Sequence, residues 1–193
     1  MKKGKPGAIQ CLPLDYELLD SYSVKHKNSK DRHERNFALV IALGIRTGLR
    51  WSDLHRISPD QVRESSGKHF IVGTAKKTSK KFKRLIPDWL AKELLTSPKN
   101  DLVFHNLGKP YTAVWVNRRI KGAFKAQYLE AQKQDKTIGA HSVRKASALK
   151  LWHSSHDINK VREFLQHRDI VTTNNYLMIR EAELDQAMEE AFL

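Results

Sequence analysis

Residues 141–176 run HSVRKASALKLWHSSHDINKVREFLQHRDIVTTNNY. Apolar positions recur at helical spacing in three blocks, which predicts helices over 142–153, 157–166 and 172–178. Polar signals sit at the block edges: His141-Ser-Val-Arg144 opens the first, Leu165-Gln-His167 closes the second and Tyr176 lies in the third. Each is weak alone. An H-x-x-R arises by chance in an Arg-rich chain, and a tyrosine in a helix is usually a packing residue.

Upstream, Leu14, Leu18 and Leu19 predict a first helix closing near Tyr22. Phe37, Ile41 and Ile45 lie four apart in a second, with Val40 and Leu43 widening its buried stripe. Thr47-Gly48 interrupts it, and a short helix around Trp51, Leu54 and Ile57 ends at Ser58-Pro59-Asp60. The period then changes. HFIVGT (69–74) and RLIP (84–87) predict a β-hairpin over 69–87 with a cationic tip, and QVR (61–63) is an edge-strand candidate. Helices resume over 88–95 and 111–130, and a last one is expected over 181–191. The fold class is α+β, mostly α-helical, with one small antiparallel sheet. The expected layout is a flexible basic leader over 1–11 and a single domain over 12–193.

With 193 residues, 40% hydrophobic and 29% charged, the chain suits one soluble domain with a full core. No apolar stretch could span a bilayer, and the basic N-terminus lacks a signal-peptide core. Cys11 stands alone, which excludes a disulfide framework and a cysteine zinc site; the expected compartment is the reducing cytoplasm. His153-Ser-Ser-His156 lacks a plausible third ligand, so no metal is expected. A net charge of +14 favours a polyanionic partner, nucleic acid before an anionic membrane. The tail over 181–193 breaks the pattern with five acids and no Lys or Arg.

The order of the polar signals outweighs each alone. TGLRWSDL (47–54), Lys77-Thr78, HSVR (141–144), LQH (165–167) and TTNNY (172–176) follow one another, with nine residues from His167 to Tyr176. In these segments the chain resembles the catalytic domain of the tyrosine recombinases, or phage integrases, over about residues 12–190. Two departures stand out: Gln166 occupies a place usually held by Gly, and His-Ser-Ser fills 153–155, where Gly is common.

The resemblance implies site-specific recombination, with DNA cut through a 3′-phosphotyrosyl intermediate on Tyr176 and no cofactor. The chemistry suits the residues. Attack on a phosphodiester builds charge on the equatorial oxygens, which the guanidinium forks of Arg50 and Arg144 would stabilise. A phenol ester keeps the bond energy for resealing and leaves more readily than an alkyl ester. The departing 5′-hydroxyl needs a proton, which a lysine crowded by cations supplies; Lys77 has that setting, with Lys76, Lys80 and Lys81 as competitors. His141 is the candidate base, and His167 is expected to hydrogen-bond the phosphate. Asp53 is expected to orient Arg50 or a helix end.

Lys76, Lys80, Lys81, Lys83 and Arg84 at the hairpin, Arg118, Arg119 and Lys121 on the following helix, and Lys145 are candidate DNA contacts. Leu184, Ala187, Met188, Ala191 and Phe192 form an apolar stripe on the last helix. That helix would either pack on its own core or, as the resemblance implies, dock on a neighbouring subunit in a synaptic tetramer. The implied partners are double-stranded DNA, further copies of the chain and an accessory DNA-bending protein. The implied location is the nucleoid. Competing readings are a type IB topoisomerase, a hairpin telomere resolvase, a silent DNA-binding protein and, remotely, a membrane-surface protein.

Overall fold

The computed structural model describes residues 9–96, 105–106, 109–177 and 189. The expected C-terminal helix over 181–193 and its docking lie outside the described residues, save for position 189, as do residues 1–8 of the leader. At the leader's end, Leu12 N–H donates to Thr137 O at 2.9 Å and Thr137 N–H to Gln10 O at 3.0 Å.

Helix α1 (Tyr16–His26) packs on α2 (Arg32–Thr47), the spine of the domain. Asp31 caps α2, accepting from His33 N–H at 2.8 Å, and every position from Phe37 to Ile45 is buried. Gly48 ends it in the left-handed conformation with φ 58°. A Cβ on Gly48 would also sit 2.2 Å from the Phe164 ring, so both backbone and packing demand glycine. The short α3 (Trp51–Leu54) follows.

Strands β1 (Val62–Ser65), β2 (Lys68–Thr74) and β3 (Lys81–Ile86) form an antiparallel sheet in sequential order. The third strand is therefore present, and β3 begins three residues before the expected Arg84. Helix α4 (Asp88–Leu95) follows the sheet. A two-stranded ribbon, β4 (His105–Asn106) with β5 (Lys109–Pro110), had no sequence signal.

The single helix expected over 111–130 is two. Helix α5 (Ala113–Ala123) and α6 (Lys125–Gln132) meet at Phe124, whose φ −114° and ψ 49° break the helix while its ring is buried. Helix α7 (Ala140–Ser155) crosses α2, and its Ser147 hydroxyl donates to Ile45 O at 2.6 Å. Helices α8 (Ile158–Leu165) and α9 (Ile170–Leu177) build a second small core around Ala148, Val161, Leu165 and Leu177. Among the described residues no helix is long and apolar enough to cross a membrane.

Candidate active site

Arg144 is the hub. It lies on α7 at 5% exposure, and its guanidinium donates to Gly48 O and, at 2.6 Å, to Leu165 O. One side chain thus ties the α2–α3 turn bearing Arg50 to the α8–α9 turn bearing His167. Burial, together with Arg50, lowers its pKa to about 10, which leaves it cationic at neutral pH.

Tyr176 projects from α9 towards α7, and its hydroxyl donates to His141 O at 3.3 Å. Its ring meets the His167 ring edge-on at 5.3 Å, and Lys145 Nζ lies 5.3 Å from the Tyr176 ring centre. Desolvation dominates and pushes the phenol up to about 12 against the pull of Arg144 and Arg50. The phenol is therefore protonated at neutral pH.

His167 is buried, and its Nδ1 lies 3.1 Å from Thr173 Oγ1. With that hydroxyl donating to Asp169 O, 3.3 Å away, the ring carries its proton on Nδ1 and Nε2 is an acceptor. Burial first, then Arg144 and Arg50, lower the His167 pKa to about 4. His141 is lowered by the same causes, burial ahead of Arg144, Arg50 and Lys145. Both rings are neutral at pH 7.

The His167 shift predicts an acid-labile fold. Its folded pKa, about 4, lies below the unfolded value, about 6.5, so the unfolded chain binds the proton more tightly. The stability present above pH 6.5 is then lost as pH falls towards 4, by about 3 kcal/mol for this group. Chemical denaturation of wild type and His167→Gln at pH 7 and pH 4 checks this. The wild type should lose more than the variant, and parallel losses would assign the acid sensitivity elsewhere.

Lys77 sits exposed on the turn between β2 and β3, near enough for its charge to act on His167. The Asp53 side chain makes no hydrogen bond to Arg50 or a helix end among the described residues. Its Oδ1 instead accepts from Lys76 N–H at 2.8 Å, tying the lysine turn to α3. The structure thus brings Arg50, His141, Arg144, His167 and Tyr176 together, with Lys77 at the rim.

Of the candidate DNA contacts, Lys76, Lys80, Lys81, Lys83 and Arg118 are exposed. Three others face inward. Because β3 starts at Lys81, alternation puts Arg84 on the inner face with Phe82 and Ile86. Its Nε donates to Thr47 O at 3.0 Å and its Nη2 to Phe164 O at 2.7 Å, a structural brace beside the site. Arg119 is ion-paired with Glu34 and lies over the Phe37 and Trp115 rings. Lys145 is buried at the Tyr176 ring, where desolvation lowers its pKa. Lys121 is half-buried, its Nζ 4.9 Å from the Tyr128 ring centre. Two cations escaped the sequence reading: Arg162 and Arg168 line a polar cleft with Lys80, Lys81, Gln166 and His167. Adjacency to His167 was the signal available for Arg168. Among the described residues no three His, Cys, Asp or Glu side chains are grouped as metal ligands.

A family model described as the phage integrase family matches residues 17–183. The chain is 29% identical over 143 residues to tyrosine recombinase XerC of Pseudomonas fluorescens, covering 71% of this chain and 46% of that protein. It is 30% identical over 157 residues to the probable integrase/recombinase YoeC of Bacillus subtilis, covering 78% and 81% respectively. The chain spans about half the length of the XerC proteins it matches. Among solved structures, XerH recombinase bound to palindromic difH substrate, in a post-cleavage complex, aligns with TM-score 0.71 at 21% identity over 96% of this chain and 54% of that one. The catalytic domain of bacteriophage HP1 integrase aligns with TM-score 0.57 at 20% identity, covering 93% and 95%.

Proposed function

The chain belongs to the phage integrase family, and from that premise we propose that it cuts and rejoins double-stranded DNA at a specific site through Tyr176. The observation that carries the reading is the Tyr176 hydroxyl held beside Arg144, with Arg50, His141 and His167 around it.

The DNA phosphodiester enters between Arg50 and Arg144, whose forks bond its non-bridging oxygens. The Tyr176 oxygen attacks phosphorus. The phenol proton passes to the neutral His141 ring as the new O–P bond forms. The bond from phosphorus to the 5′-oxygen breaks, and Lys77 delivers a proton to that oxygen, leaving a 3′-phosphotyrosyl enzyme and a free 5′-hydroxyl. His167 takes a proton from solvent as the anionic phosphate arrives and offsets the charge of Arg144 and Arg50, and then donates from Nε2 to it. Rejoining reverses each transfer: a 5′-hydroxyl, from the same or a partner strand, returns its proton to Lys77 and displaces Tyr176. The ester conserves the bond energy, so resealing needs no nucleotide. The two arginines supply the charge stabilisation that a metal ion supplies in other phosphoryl transfers.

XerH bound to its difH substrate supports DNA as the partner, and the exposed lysines around the site suit a phosphate backbone. The reading extends to integration, excision or inversion by a synaptic tetramer at the nucleoid, with an accessory DNA-bending protein as a further partner.

The reading predicts SDS-resistant protein–DNA adducts when the chain meets sheared genomic DNA in EDTA and without nucleotide. Equal yields with and without EDTA fit the proposed chemistry. Adducts that require added magnesium would overturn the metal-independent scheme.

A further inference from the structure

Helix α8 ends in an unusual way. Gln166 closes it in the left-handed conformation, φ 53° and ψ 37°, where a glycine would sit without steric cost. Among the described residues the non-glycine positions with positive φ are Ser66, Ser79, Asp135, His156 and Gln166. Only Gln166 of these is buried, at 7% exposure. A long polar side chain has therefore been kept inside at a position that disfavours it, and its amide is occupied. Nε2 lies 3.4 Å from both Lys80 O and Lys81 O, and Oε1 accepts from the Thr78 hydroxyl at 3.5 Å.

Those partners bracket the turn that carries Lys77. On the other flank Asp53 Oδ1 holds Lys76 N–H at 2.8 Å. Within the turn, Ala75 N–H donates to Lys80 O and Ser79 N–H to Ala75 O, each at 2.9 Å. The turn is thus tied on one side to α3, beside Arg50, and on the other to the residue preceding His167. Lys77 itself is exposed, and among the described residues no hydrogen bond or ion pair holds its side chain in place. Its position relative to the phosphate site depends on the backbone beneath it.

We propose that Gln166 is a positioning residue for proton delivery: it clamps the Lys77 turn to the His167 segment, so that the lysine already faces the scissile phosphate when DNA arrives. This rests on the proposed cleavage chemistry, with Lys77 as donor to the 5′-oxygen. Each bond in the clamp is long and individually weak. Their effect comes from acting together on one short turn.

Gln166→Gly removes the clamp while easing the backbone, so the variant should fold with an unchanged or slightly higher thermal midpoint. Gln166→Asn tolerates the same backbone but is one methylene too short to span the gap, and should behave alike. Hydrogen exchange on the free full chain should speed up several-fold at amides 76–81 in both variants and stay unchanged in α7. Function is read on duplex oligonucleotides carrying the site recovered from wild-type adducts, with either oxygen or sulfur bridging to the 5′ carbon. A thiolate departs without a proton. Each variant, like Lys77→Ala, should therefore cleave the oxygen ester about 10- to 100-fold more slowly and the sulfur ester at the wild-type rate, since general acid catalysis contributes ~10²–10⁴. Gln166→Gly added to Lys77→Ala should bring no further loss. Equal losses on both esters, or no loss on the oxygen ester, would overturn the positioning role. A wild type that cleaves neither ester would overturn the recombinase reading itself, and hydrogen exchange would still report whether the clamp exists.

Discussion

Tyr176→Phe is expected to abolish covalent capture of DNA, a loss beyond ~10⁴-fold, while leaving the fold as stable as wild type. The two halves of this expectation have separate origins. Removing the hydroxyl removes the nucleophile, and the nearby side chains do not replace it: Lys145 is buried under the ring, and Thr173 is engaged with His167 and Asp169. The ring, in contrast, carries the structural role, through its edge-on contact with His167 and its packing against the small core of α7, α8 and α9. Phenylalanine keeps that. The lost hydrogen bond to His141 O, at 3.3 Å, is long, and its net contribution is about 0.5–1 kcal/mol, offset by no longer desolvating a hydroxyl. Adduct yield on denaturing gels and thermal melts of the same preparations test both halves. A Phe variant that still forms adducts would remove Tyr176 from the chemistry.

Arg144→Lys should combine a large rate loss with a real stability loss. The guanidinium donates to Gly48 O and Leu165 O from one planar fork while its charge acts on the Tyr176 phenol, and a lysine ammonium cannot serve both carbonyls from the same place. At least one buried carbonyl is left bare, costing about 1–3 kcal/mol. The reaction loses a two-pronged donor to the developing phosphorane, for which ~10²–10³-fold per donor is the scale, so cleavage should slow by about 10³-fold or more. Arg50→Lys separates the two effects. Arg50 is half-exposed at the start of α3, so its replacement should cost rate with little stability. Single-turnover cleavage and denaturant titration of both variants provide the comparison. Equal stability losses in both would show that Arg144 does not brace the two turns.

Much of this site was legible in the sequence because its chemistry is tied to local pattern. Gly48 announces the turn before Arg50, and the helical spacing in α7 and α8 brackets Arg144 and His167. What the sequence did not give up depends on contacts between distant segments. Arg84 reads as one more cation in a lysine-rich hairpin; only the start of β3 at Lys81 decides that it points inward to Thr47 and Phe164. Arg119 looked like part of a basic face until Glu34, eighty-five residues away, paired with it. The break at Phe124 follows from burying an aromatic ring against α1, where Tyr22 lies 5.3 Å away, and Gly122 two residues earlier was the local signal for it. Asp53, expected from the resemblance to orient Arg50 or a helix end, instead accepts from the main chain of Lys76 across the site. Gln166 read as a departure from pattern, and its function becomes visible only when the hairpin turn is seen beside it.

Whether DNA becomes esterified to one phenol can be read from peptide mapping of the trapped adduct. Adducts formed on genomic DNA would be digested with nuclease and protease, and the peptide bearing the residual nucleotide identified by mass spectrometry. A nucleotide 3′-phosphate is expected on the peptide spanning 169–180, with fragmentation placing it on Tyr176. A nucleotide linked through its 5′-phosphate, or attached to any other residue, would contradict it.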